Sequence, residues 1–171
     1  MARLRVDLAG RLNCQAEARL EFTCLLNHAH TSAGLPLQIV ADSARLAPSY
    51  LSELLAGDKH HVGIHRLRIL CEDGWQLSEG ASLRIFSARI RLDLSLCDRL
   101  PDEFYWRLAR FCSLDAFARS VHLHRSTIGR FVTQAYIPAF DVTRSICRGL
   151  GFDRRSIESI HFELLMPAGA V

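Results

Sequence analysis

Three sets of side chains in this chain have types and spacings that bear on chemistry. His60, His61 and His65 lie close together, and His122 and His124 stand on either side of Leu123. Imidazoles bind zinc, but no cysteine or second histidine pair stands at zinc-site spacing from His60 and His65, so these read as polar loop histidines and no metal or cofactor is expected. Serine, histidine and aspartate all occur, yet no nucleophile-elbow glycine pattern surrounds any serine and no glycine-rich loop could cradle a phosphate, so no enzyme is expected. The third set is arginine. From Phe104 to Ser156 nine arginines face only Asp115, Asp141 and Asp153, a net charge of +6, whereas Asn27 to Glu79 carries four basic against six acidic side chains, a net −2. The whole chain is only +3, too little by itself to argue for a polyanionic partner, so the distribution is the signal.

At 171 residues, 49% hydrophobic and 23% charged, the composition is that of one ordinary folded domain or two small ones. No window approaches the roughly 20 apolar residues of a membrane span, and Arg3, Arg5 and Asp7 occupy the place of a signal peptide's apolar core. The expectation is a cytoplasmic protein with no membrane partner. Cys14, Cys24, Cys71, Cys97, Cys112 and Cys147 form no CxxC pair, so they read as small buried apolar residues and not as zinc ligands or a disulfide framework.

The elements that would position the arginines are written twice. A constant shift of 77 places Leu37 to Trp75 on Leu114 to Phe152 without a gap, with identities at Leu37/Leu114, Ala41/Ala118, Ser43/Ser120, Leu46/Leu123, Ser49/Ser126, Ile69/Ile146 and Gly74/Gly151. The same shift carries "SLRIF" (Ser82 to Phe86) onto "SIHFE" (Ser159 to Glu163), both alternating apolar and polar as half-buried strands do. Ala2 to Leu8 matches Ala88 to Leu94 at a shift of 86, again with strand-like alternation. The expected fold class is therefore α+β, mainly α: tandem units of about four helices each with flanking β-strands, residues 1–86 and 87–171, meeting near Ser87. Trp75 and Phe152, equivalent in the repeat, read as core plugs.

In the second copy "DEFYWRLARFC" reads as a first amphipathic helix, Ser113 as the cap of a second over "LDAFARSV", "RSTIGRFVTQ" as a third, and "DVTRSICRGL" as a fourth closed by Gly151. Two short helices separated by about four residues form a helix-turn-helix pattern. Ala41, Ala44, Leu46, Leu51 and Leu54 in one copy, and Ala118, Val121, Leu123, Ile128 and Phe131 in the other, have the spacing of a small residue at a close helix crossing with apolar residues filling the wedge. On these residues, each copy resembles the lambda-repressor-like (Cro/repressor, XRE-type) helix-turn-helix domains over about 40 positions. The turn position that the family fills with glycine is Arg45 here in one copy and His122 in the other, which predicts a differently shaped turn.

The resemblance implies a function. It puts the helix from Arg125 in the major groove of double-stranded DNA, with Arg125, Ser126, Thr127 and Arg130 at base edges, Gln134 near the backbone or an adenine edge, Ser113 at a phosphate, and Arg119 as a further DNA contact. Ser49, Tyr50, Ser52 and Lys59 are the matching but weaker DNA or partner contacts of the acidic first copy, where Glu53 sits on the would-be reading helix. The expected protein is a transcription regulator, a homodimer pairing two basic units, with "ESIHFELLM" as an edge for sheet extension. No separate ligand-sensing domain is expected, because the two copies use up the chain. The alternative is a helix-turn-helix scaffold that binds a protein as an inhibitor or co-regulator, of phage or mobile-element type, through the first copy.

Overall fold

A computed structural model describes residues 2–93, 100–133 and 138–166. The chain divides into two compact units, Met1–Asp93 and Leu94–Val171. The first contains α1 (Ala2–Ala33), α2 (Leu37–Ser43), α3 (Pro48–Ala56), α4 (Ile64–Ile69), which runs on into a π turn at Leu70–Gly74, and α5 (Glu79–Leu92). The second contains α6 (Asp102–Leu108), α7 (Leu114–Ser120), α8 (Arg125–Val132), α9 (Phe140–Gly149) and α10 (Arg154–Leu165).

All of these elements are helices, and no strand occurs among the described residues, which corrects the expected α+β class. Ala2 to Leu8 lies within α1, Ser82 to Phe86 and Ala88 to Leu92 lie in α5, and Ser159 to Glu163 lies in α10. The reason is visible in burial. A strand over Ser159 to Glu163 puts Ile160 and Phe162 on one face. In α10, Ile157, Ile160 and Leu164 are buried at helical spacing, while Phe162 is 59% exposed. In α5 Ser82, Ile85, Phe86 and Arg89 are buried at the same three- and four-residue steps, and Ala88, Ile90 and Leu92 are buried as well, so the second half of the helix is covered on more than one side; Ser78 caps the start by accepting the Ala81 amide. With α10 helical, no strand edge exists there for dimerisation by sheet extension, and α5 passes unbroken through Ser87.

The core of the first unit gathers Phe22 and Leu26 of α1, Val40 and Ala41 of α2, Leu51 and Leu54 of α3, and Leu67, Leu70 and Phe86, all fully buried. Trp75 is buried too and donates its indole N–H to His30 Nδ1 at 3.3 Å. Arg89 is buried on α5 and donates its Nε–H to the Val62 carbonyl at 2.9 Å, tying the loop before α4 to that helix.

The second unit is built around aromatic rings. Phe104 lies 5.6 Å from Phe131 and stacks at 6.3 Å on Phe152, joining α6, α8 and the end of α9. Arg107 covers the outer face of Phe152 at 4.3 Å and donates to the Gly151 carbonyl at 2.6 Å, so its charge serves the fold. Cys71 and Cys147 are buried, and burial pushes each thiol up to about 12. Cys24 and Cys112 are exposed, contrary to the reading of the cysteines as core residues. Cys97 lies outside the described residues, and so does Gln134.

Candidate nucleic-acid interface

The candidate site is the α7–turn–α8 segment. Ser113 starts α7 by accepting the Ala116 amide on its hydroxyl oxygen at 3.1 Å, and Phe117 and Ala118 anchor the helix in the core. Helix α9 comes close to the end of α7 because position 149 is glycine: a Cβ there would lie 2.1 Å from Val121 Cγ1.

The turn is left-handed in both units. His122 has φ +55° and Arg45 has φ +54°. After them Leu123 N–H returns to the Ala118 carbonyl at 3.0 Å, and Leu46 N–H to the Ala41 carbonyl at 2.9 Å. The expected change of turn shape is thus absent: two non-glycine residues adopt the left-handed conformation, held by the same closing hydrogen bond at a shift of 77. Helices α2 and α7, and the starts of α3 and α8, also correspond at that shift.

His124 caps α8. Its Nδ1 accepts the Ser126 amide at 3.3 Å and lies 2.7 Å from Ser126 Oγ. Ile128, Phe131 and Val132 pin one side of the helix into the core. The opposite side presents Arg125, Ser126, Arg130 and Thr133 to solvent, with Thr127 half-buried at its edge. Between the two arginines Gly129 leaves the backbone bare, and a Cβ there would meet nothing within 4 Å. Neither Arg125 nor Arg130 has an ion-pair partner among the described residues, whereas Arg119 stands 3.9 Å from Asp115. Arg107, Arg144 and Arg154 are likewise neutralised, by Glu103, Asp141 and Glu158. The charge on α8 that has no ion-pair partner among the described residues is what this segment offers a polyanion: two arginines whose backbone positions lie about 7.5 Å apart along the axis, next to a hydroxyl and an uncovered stretch of backbone.

On the matching surface of the first unit the basic side chain expected to contact DNA is paired. Ser49 and Ser52 are exposed on α3, but Lys59 pairs with Glu53 and lies 5.1 Å from the Tyr50 ring centroid. The Tyr50 hydroxyl donates to the His61 carbonyl at 3.0 Å, so it too is engaged within the unit. Of the loop histidines, His60 is held below the usual imidazole range by burial and by Arg19 and His61 nearby. No three metal-ligating side chains gather among the described residues.

His124 as a helix cap, Gly129 as a gap in the side-chain surface and Thr133 on the outer face were not singled out by the sequence reading. Only Gly129 had a usable signal, a glycine placed mid-helix where alanine is the better helix former. Among the described residues no helix is long and apolar enough to cross a membrane. Compared with family models, curated proteins and solved structures, the chain has no match.

Proposed function

We propose that this protein is a sequence-specific DNA-binding transcription regulator of the cytoplasm, with α8 as the helix that enters the major groove. The observation that carries the reading is the outer face of α8, where Arg125 and Arg130 stand without ion pairs among the described residues on either side of the bare Gly129 backbone. Arg125, at the start of the helix, takes a guanine edge through two parallel hydrogen bonds. Ser126 and Thr127 supply hydroxyls to a base or phosphate, and Arg130 follows about one and a half turns on. Ser113 keeps its hydroxyl hydrogen for a phosphate oxygen while its oxygen caps α7. The mechanism is occupancy of an operator, without covalent chemistry. A homodimer would set two basic units about 34 Å apart on successive groove faces.

A second reading, a protein-binding co-regulator, is favoured by the surface of α3, where Lys59 is paired with Glu53. The experiment that separates the two is duplex DNA binding at two salt concentrations by the full chain and by its Arg125→Ala/Arg130→Ala variant. Salt-sensitive binding lost in the variant supports the reader. Absence of binding at low salt removes that reading and leaves the protein partner.

A further inference from the structure

The second unit has a feature that its DNA reading does not use. Between α9 and α10 lies a cavity of about 580 Å³ whose lining includes Phe140, Phe152, Ile157 and the guanidinium side chains Arg144, Arg148 and Arg154. The size falls within the roughly 300–1,000 Å³ range of small-molecule sites, which are apolar with a few convergent polar groups. Its charges are unevenly compensated. Glu158 is held by Arg154 at 2.8 Å, and Asp153 accepts the Ser156 amide at 2.8 Å and keeps its negative charge as the N-cap of α10. Arg144 is paired with the exposed Asp141, and Arg148 has no ion-pair partner among the described residues. Phe152 and Ile157 are almost wholly buried, so they form a floor, while Phe140 at the rim is 37% exposed.

We propose that this groove binds a small amphipathic anion: a carboxylate on an aromatic or branched aliphatic body, with the carboxylate on Arg148 and the body against Phe140, Phe152 and Ile157. A planar guanidinium receives a carboxylate through two parallel hydrogen bonds, and the apolar floor gains by covering the rim ring. A neutral ligand would leave the Arg148 charge uncompensated, and a small hydrophilic anion would leave the floor wet. No separate sensor domain is needed, because the pocket is made by the last two helices of the unit itself.

The test is calorimetric titration of the full chain with 4-phenylbutyrate and, as a neutral match, 4-phenylbutanol. Direct binding is read whether or not α8 touches DNA, so failure here and failure of the DNA reading are distinguishable. The expected result is saturable one-to-one binding of the carboxylate, weakened about tenfold or more in the alcohol and in Arg148→Gln, and unchanged in Arg130→Gln. Phe140→Ala, which removes only rim apolar surface, is expected to weaken it too, so the proposal stays testable should Arg148→Gln fail to fold. Absence of saturable binding up to about 10 mM carboxylate, or equal affinity for acid and alcohol in the native chain, overturns the proposal.

Discussion

Gly129 is where the stability and the proposed function of this protein pull in opposite directions. A glycine inside a helix costs roughly 0.5–1 kcal/mol relative to alanine, and nothing within the unit requires one here, since its Cβ would project into open space. Gly129→Ala should therefore raise the unfolding free energy by about 0.5–1 kcal/mol in chemical denaturation while weakening DNA binding, because the added methyl stands on the face that approaches the duplex. A variant that is both more stable and an equal binder would take α8 out of the groove. Gly149 is the opposite case. Its Cβ would lie 2.1 Å from Val121 Cγ1 and 3.2 Å from Phe117 Cε2. Gly149→Ala should cost about 1–3 kcal/mol by overpacking, read as a lower denaturation midpoint at unchanged slope. Thiol labelling gives a third residue-level check. Cys24 and Cys112 should react with a thiol reagent in the folded chain, and Cys71 and Cys147 only as it unfolds, since both are buried with thiols raised to about 12.

At the scale of elements, caps and periodicities decided what was legible. Helices α7 and α8 were readable because Ser113, Ala118, Ile128 and Phe131 combine a cap with three- and four-residue apolar steps, and the first of the two begins where it was expected, directly after that cap. The flanking segments misled because five-residue windows such as "SLRIF" satisfy a period of two as easily as a longer helical period. The longer frame resolves them: Ser78 and Asp153 are N-caps placed before those windows, and Asp153 accepts the Ser156 amide. That cap also makes a pH prediction. Hydrogen bonds from Ser156, the amide first, hold the Asp153 carboxyl below the usual carboxylate range. A carboxylate depressed by folding adds stability that is fully present above its unfolded value, about 4, and that disappears as pH falls through the lower folded value. The melting-temperature gap between the native chain and Asp153→Ala should be widest near neutrality and should close below about pH 4. A gap that is constant with pH would mean the carboxylate does not cap α10. The left-handed turn was misjudged for a different reason: a φ near +55° at Arg45 and His122 is a modest strain that the closing hydrogen bonds of Leu46 and Leu123 hold in place, and residue type alone does not display those bonds.

At the scale of the whole molecule, the two units carry the same helix-pair register but differ in what their outer helices leave unneutralised. In the first, Glu53 and Lys59 cancel each other. In the second, ion pairs within single helices quiet Arg107, Arg144 and Arg154, and the remaining charge includes Arg125 and Arg130 on the face of α8. Sequence counting found the charge asymmetry; which arginines stay unpaired depends on side-chain geometry that counting does not reach. The most direct test of the account is the salt dependence of duplex DNA binding by the native chain and the Arg125→Ala/Arg130→Ala variant. Selective binding whose affinity falls with salt, with a variant that loses specificity and has a slope shallower by about 2 in log–log units, is the predicted result. Equal affinity and equal slope for the two proteins, or no binding at low salt by the native chain, would contradict it.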